Sequence, residues 1–311
     1  MKPLFDRCRS NPILKAQDMP FPAEAVLNPG ATEQGGEVVL LLRVEYATGY
    51  SSICVARSKN GVDGWRVEKE PILRHGEPLW RYEQWGCEDA RIVRLEGEKA
   101  WYITYTAYSP AGPAVGLAKT KDLVTAERLG LIFSPNNKDA ALFPRRFDGR
   151  WAVLHRPDAG GGVENIWIAY SPDLVHWGEP HCVLPEGPGP AWDAQKVGAG
   201  PPPLLTKDGW LLLYHGVKLY AGQYVYRVGV ALLDKDRPHK LLARSPCNVF
   251  KAMAIYEMAG LVSNVVFPTG LLLRGDELWM YYGAADTCVC LATARLADVL
   301  ATLESVDSAN A

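Results

Sequence analysis

Trp85-Gly86-Cys87-Glu88-Asp89-Ala90-Arg91-Ile92-Val93 sets two adjacent carboxylates and a guanidinium at the mouth of a short apolar run. Carboxylates in that position commonly satisfy a turn or a salt bridge. They gain interest because the rest of the chain repeats around them and supplies comparable polar positions. Asn28, Lys138 with Asp139, Lys196 before Gly198-Ala199-Gly200, and Asn264 precede or open other apolar runs, and Arg43, Arg156 and His215 come at the ends of the adjacent second strands. The set joins a few carboxylates to many groups able to carry positive charge. A cationic pocket needs an anion to offset its desolvation cost, and phosphate suits Arg and Lys. Neither a GxxxxGK[ST] loop nor a GxGxxG turn is present, so a nucleotide is not indicated. Plainer roles exist as well: Lys138 could serve only to pair with Asp139, and Arg91 only to neutralise Glu88.

The elements that must position these groups are written as a repeat. A strand ending in alanine recurs as Ile53-Cys54-Val55-Ala56, Val115-Gly116-Leu117-Ala118, Ile166-Trp167-Ile168-Ala169, Val228-Gly229-Val230-Ala231 and Val289-Cys290-Leu291-Ala292. The alanines at 56, 118, 169, 231 and 292 are 62, 51, 62 and 61 residues apart. Ahead of each lies a second apolar run, such as Trp101-Tyr102-Ile103-Thr104-Tyr105 or Trp210-Leu211-Leu212-Leu213-Tyr214, and ahead of that a third. Gly, Pro and Asp punctuation with β-branched and aromatic enrichment predicts strands. Four short strands per unit and five units predict an all-β five-bladed β-propeller spanning residues 1–311 as one domain. Asn11-Pro12-Ile13-Leu14 echoes Glu70-Pro71-Ile72-Leu73, so residues 11–14 are expected to supply the outer strand the last unit lacks and to close the ring. Ala297-Asp298-Val299-Leu300 reads as a short C-terminal helix, and Trp65 and Trp177 as core.

Composition narrows the function classes. Apolar residues make up 48%, charged residues 22%, and the net charge is −2, so there is ample core and no basic surplus for nucleic acid or acidic membrane. The first residues lack the apolar core of a signal peptide, and no run approaches a membrane span. The seven cysteines form no metal-ligand spacing. No cofactor or metal is expected, and the reading is of a cytoplasmic protein. Oligomeric state is not legible; a homo-oligomer is compatible with the composition.

Taken in order, Asn28-Pro29, Leu42-Arg43, Gly86-Cys87-Glu88-Asp89-Ala90-Arg91, Tyr105-Thr106-Ala107-Tyr108, Asn137-Lys138-Asp139, His155-Arg156-Pro157, Lys196-Val197-Gly198-Ala199-Gly200-Pro201-Pro202, Tyr214-His215-Gly216 and Tyr281-Tyr282-Gly283-Ala284-Ala285-Asp286 resemble glycoside hydrolase family 130, the β-mannoside phosphorylases and their hydrolytic relatives. The resemblance runs from about residue 11 to 300. It departs at Ala90, where the family usually has proline, and at Ala114, near a place where many members carry a basic residue. It implies inverting phosphorolysis of terminal β-mannosides, with inorganic phosphate as co-substrate. Asp89 is the implied acid, its proton passing through a hydroxyl of the bound mannose. Arg43, Lys138, Lys196 and His215 are the phosphate candidates. Asn28, Glu88, Arg91, Arg156 and Asp286 are the candidates for the sugar. Phosphate is already an anionic nucleophile, so one acid suffices where an inverting hydrolase needs two carboxyl groups. A hydrolase on the same scaffold would draw a second carboxylate from Asp139, Asp193 or Asp286; a non-catalytic sugar-binding protein is the other alternative.

Overall fold

The computed structural model describes residues 3–158 and 164–306. The strands fall into five antiparallel groups. The first comprises Ala25–Gln34, Glu37–Glu45, Ser51–Ser58 and Arg66–Val67, and the second Gly86–Arg94, Trp101–Ser109, Gly112–Thr120 and Glu127–Phe133. The third comprises Asn137–Leu142, Trp151–Pro157, Ile166–Ser171 and Gly178–Leu184. In the fourth, Lys196–Ala199 and Leu204–Leu205 both pair with Trp210–Tyr220, followed by Gln223–Leu233 and Leu241–Arg244. The fifth runs Val266–Arg274, Glu277–Ala284, Cys288–Arg295 and then, from the other end of the chain, Asp6–Arg7. Each spaced alanine lies buried on the third strand of its group. A single parallel bridge, Ser51 to Gly86, joins the first two groups into one sheet.

Why these runs read as continuously apolar is clear from the packing. Side chains alternate along a strand, and both faces of every group are covered. Val39 and Leu41 face a core shared with the second group, while Val38, Leu40 and Leu42 face one shared with the fifth. Leu212 packs toward the third group, Leu211 and Leu213 toward the fifth. The remaining cluster lies between the second and third groups. The first strands approach so closely that a β-carbon on Gly30 would meet the Ala90 carbonyl at 2.6 Å, and one on Gly270 the Pro29 carbonyl at the same distance. Only glycine permits these backbones to touch.

The expected N-terminal strand is present but shifted. Asp6 and Arg7 pair with Thr293 and Ala292, and residues 13–14 add only a bridge, Leu14 to Val289. The Pro-Ile-Leu echo survives in that bridge: Leu73 meets Ile53 in the first group by the same backbone pattern. The short helix Leu296–Leu300 is present, and the residues after it form a strand the sequence did not disclose, Glu304–Ser305, paired with Leu241–Arg244 of the fourth group. Trp65 and Trp177 pack against the core clusters as expected.

Candidate active site

The site begins with three irregularities. Pairing of the first and second strands slips by one residue at Leu27/Gly30, Glu88/Arg91 and Lys138/Ala141. At each slip a non-glycine residue takes a positive φ: Asn28 at 46°, Asp89 at 51° and Asp139 at 54°. Asn and Asp tolerate this left-handed conformation because their short polar side chains bond locally, and a bulge redirects the side chain it carries. Asn264 and Asp286, in the fifth group, share the conformation at 60° and 51°.

One side of the site is rich in carboxylates. The Asn28 amide donates to Asp89 Oδ1 at 2.8 Å. Arg43 donates to the same oxygen at 3.3 Å, lies 3.1 Å from Glu88 and 3.3 Å from Glu45, and spends its Nε on Ser51 Oγ at 3.0 Å. Burial pushes the Asp89 carboxyl up, but Arg43, Lys138, Arg91 and the Asn28 bond outweigh it and hold the group below its usual range. Glu88, also buried, is pushed up, with Arg43 insufficient to reverse the effect. Burial, then the charge of Asp89, raises Asp286 to about 6 against the opposing pull of Arg43 and Lys138.

The other side is rich in cations and centres on Asp139. This carboxylate meets Arg91 at 3.1 Å, Arg156 at 3.2 Å and His215 Nε2 at 3.5 Å. Burial opposes its charge, yet the charges of Arg156, Arg91 and Lys138 overcome that and keep it ionised far below the ordinary carboxylate range. Glu164 lies 3.2 Å from Arg156 and 3.8 Å from Lys196, whose ammonium stands 5.1 Å over the Tyr224 ring. Burial and then Arg156 lower the Lys196 pKa. Among the described residues, Lys138 has neither a hydrogen-bond nor an ion-pair partner, so the plainer alternative, a pairing with its neighbour Asp139, does not form.

Two candidates hold different places from those the sequence suggested. Arg91, 1% exposed, donates to the carbonyls of Asp89, Ala199 and Gly200 as well as to Asp139. Its donors are thus committed to tying three groups together, and its carboxylate partner is Asp139 rather than Glu88. His215 is wholly buried against Phe267 and its pKa falls well below the usual value through desolvation, so its imidazole is neutral. It can offer a hydrogen bond but no charge. Asp193 is engaged by Arg244 at 2.7 Å and the Tyr214 hydroxyl at 3.0 Å. Glu45, Ser51 and Glu164 were missed by sequence reasoning; none stands in a pattern that marks it, although Ser51 and Glu164 both lie at or just before the opening of a third strand.

Asn28 Oδ1, Thr106 Oγ1, Thr269 Oγ1 and Arg156 NH1 are buried without a hydrogen-bond partner. Buried polar atoms are almost always paired, so Asn28 Oδ1, on the amide that bonds Asp89, and Arg156 NH1, on the guanidinium that meets Asp139, are left for a polar ligand.

A family model described as beta-1,4-mannooligosaccharide phosphorylase matches residues 4–305. The chain belongs to glycoside hydrolase family 130. Within the family it is 38% identical to a beta-1,2-mannobiose phosphorylase of Listeria innocua over 83% of this chain and 70% of that one. It is 32% identical to a beta-1,4-mannooligosaccharide phosphorylase of Ruminococcus albus over 99% and 93% of the two chains. The crystal structure of a Listeria innocua beta-1,2-mannobiose phosphorylase with beta-1,2-mannobiose superposes with a TM-score of 0.87 at 31% identity, covering 97% of this chain and 99% of that one. The two departures from the family pattern are both buried: Ala90 presents its carbonyl to Gly30, and Ala114 lies on the third strand of the second group.

Proposed function

We propose that this protein is an inverting β-mannoside phosphorylase, converting a terminal β-mannoside and inorganic phosphate to α-mannose 1-phosphate and a shortened sugar, and running in reverse as a synthase. The observation that carries the reading is the division of the site, with a cluster of carboxyl groups around Asp89 on one side and unspent positive charge on the other. Lys138 has no partner among the described residues, and Arg156 keeps a buried NH1 without one. Arg43, by contrast, is already in contact with three carboxylates. The charge balance therefore favours Lys138, Lys196 and Arg156 as phosphate ligands, with His215 as a neutral donor, and moves Arg43 to the support of Asp89. Asn28, Glu88 and Asp286 remain for the sugar hydroxyls, and Arg91 holds the frame.

In this reading a phosphate oxygen attacks the anomeric carbon as the glycosidic C–O bond breaks, and the proton of Asp89 ends on the leaving oxygen. The resting site keeps Asp89 ionised, which is the wrong state for an acid. Phosphate supplies the remedy. Lys138 acts on both Asp89 and Asp139, so an anion bound to it offsets charge that holds Asp89 low. The acid is thereby loaded when the nucleophile is in place. One carboxyl group then suffices, because the nucleophile arrives charged.

The scaffold we propose is a single five-bladed β-propeller closed by the N-terminal strand. Five core clusters support it, four joining successive groups and one joining the last to the first. No helix of the described residues is long and apolar enough to cross a membrane. Seven unpaired cysteines support a cytoplasmic setting, and the proposed chemistry calls for no cofactor beyond phosphate. The deciding experiment measures mannose 1-phosphate formation from β-1,2-, β-1,3- and β-1,4-mannobiose with and without phosphate, and synthesis from α-mannose 1-phosphate on a panel of acceptors. Sugar release that ignores phosphate would sink the reading in favour of a hydrolase.

A further inference from the structure

Three of the five groups carry the same buried brace. In the second, Glu83 accepts hydrogen bonds from the Tyr105 hydroxyl at 2.5 Å, Arg128 Nε at 2.8 Å and Cys87 Sγ at 3.2 Å. In the fourth, Asp193 accepts from the Tyr214 hydroxyl at 3.0 Å and Arg244 at 2.7 Å, and Arg244 Nε also reaches that hydroxyl at 3.0 Å. In the fifth, Glu257 accepts from the Tyr282 hydroxyl at 2.7 Å and twice from Arg7 at 2.8 Å. The parts have constant origins. Tyrosine comes from the second strand, arginine from the fourth strand, and the carboxylate from the connection leading into the first strand, where Glu83 and Glu257 sit in single helical turns. Tyr105 and Tyr214 lie over the cross-strand glycines Gly116 and Gly229, where a β-carbon would come 2.3 and 2.5 Å from the ring. Burial and the adjacent carboxylate raise all three tyrosines, so the hydroxyls stay protonated and donate.

The brace is not a general requirement of the fold. The residue facing the bulge is Leu42 in the first group and His155 in the third, where Tyr105 stands in the second. In the second and fourth groups the braced loop leads straight into a functional side chain. Cys87, bonded to Glu83, lies two residues before Asp89, and Asp193 lies three before Lys196.

We propose that these braces are positioning devices for the reaction: Glu83 sets the strand start that carries the acid Asp89, and Asp193 sets the one that carries the phosphate ligand Lys196. A carboxylate bonded to both the tyrosine and the arginine ties each connection to the fourth strand of its group, so the functional side chain starts from a fixed backbone. Displacement of a reacting group by about 1 Å costs up to 10²-fold in rate. The two braces should therefore fail in different kinetic constants. The inference rests on the phosphorylase reading, so the wild-type phosphate dependence is measured first.

The test is steady-state phosphorolysis by Glu83→Gln and Asp193→Asn, with Tyr105→Phe and Tyr214→Phe as milder versions that keep the carboxylate and its arginine and delete the hydroxyl's one and two hydrogen bonds. Glu83→Gln is expected to lower kcat about tenfold with the KM for phosphate within about twofold, and to lose less on an aryl β-mannoside whose leaving group needs no proton. Asp193→Asn is expected to raise the KM for phosphate about tenfold with kcat within about twofold. The tyrosine variants should reproduce each pattern at smaller size. The proposal is overturned if both braces give one kinetic pattern, or if melting temperatures fall while both constants stay unchanged. A wild type that releases sugar without phosphate would sink the parent reading instead; the aryl-mannoside comparison would then still report on Glu83.

Discussion

Asp89 and Asp139 occupy matching bulges in consecutive groups, at φ of 51° and 54°, and both are buried at 3% and 1% exposure. Backbone and burial are nearly the same; the neighbours differ. Asp139 meets three nitrogen-bearing side chains and no second carboxylate, so its charge is locked. Asp89 shares Arg43 with Glu88 and Glu45, and its charge in turn raises Asp286. A surplus of cations makes a carboxylate a structural anchor, whereas a surplus of carboxylates makes one a group whose protonation a ligand can change. The same local fold thus yields two chemical roles.

The comparison is tested most severely by converting each residue to its amide. Asp89→Asn keeps shape and removes the proton, so turnover should drop on the order of 10²–10⁴-fold, less on an aryl β-mannoside, with the melting temperature close to that of wild type. Asp139→Asn should reverse the emphasis. It leaves Arg91 buried without its counter-charge and Arg156 with Glu164 alone, and breaking such a cluster costs about 3–5 kcal/mol of stability, readable in denaturant melts. If Asp139→Asn melts like wild type, the anchor assignment is wrong. If Glu88→Gln abolishes turnover while Asp89→Asn keeps most of it, the acid assignment is reversed.

Much of this contrast was legible in the sequence, but not its division. The alanine markers located every third strand because a small buried residue recurs at each repeat. Asn28, Asp89 and Asp139 stood out as polar residues at the entrances of apolar runs, where the structure has positive-φ bulges, whereas Asp286 stood out only through the family resemblance. Partner choice was not readable. Arg91 is two residues from Asp89 yet bonds Asp139, forty-eight residues away, because the first strands meet side by side. Glu164, which partners Arg156 and Lys196, sits in no motif at all. Charge state was also hidden: His215 looked cationic by type, and complete burial makes it neutral. The braces escaped because tyrosine and alanine marker are thirteen, seventeen and ten residues apart in the three groups, hairpin length having erased the period.

A smaller effect sharpens the cationic side. Lys138→Ala removes a charge that makes no hydrogen bond or ion pair among the described residues and acts on Asp89 and Asp139 only at a distance, so stability should change little while the phosphate requirement rises. A charge-assisted hydrogen bond of about 1.5–3 kcal/mol corresponds to roughly 10–150-fold in the KM for phosphate. Arg43→Ala should spare the phosphate KM by comparison and reduce kcat, since Arg43 is spent on carboxylates. Equal rises in phosphate KM for both variants would erase the division between the two sides.

The smallest effect concerns how pH reads the two kinds of carboxyl. Asp139 and Asp89 have depressed folded-state pKa values, so the stability they contribute is present above the unfolded pKa near 3.9 and is lost as pH falls through the folded value. Asp286 has the opposite sign. At about 6 in the folded protein, it faces Asp89 and Glu45 as well as Arg43 and Lys138, and burial favours its neutral form. Between about pH 4 and pH 6 the folded state therefore binds more protons than the unfolded one, and stability declines as pH rises through that window. Asp286→Asn abolishes the decline, because the amide is neutral at every pH. Relative to wild type, the variant should be more stable at pH 7.5 than at pH 4.5, whatever it loses in sugar binding. Thermal melts of both proteins at the two pH values measure this directly. A difference that does not change with pH would mean that Asp286 titrates as an ordinary carboxylate, and that the carboxylate-rich side does not hold a proton in reserve.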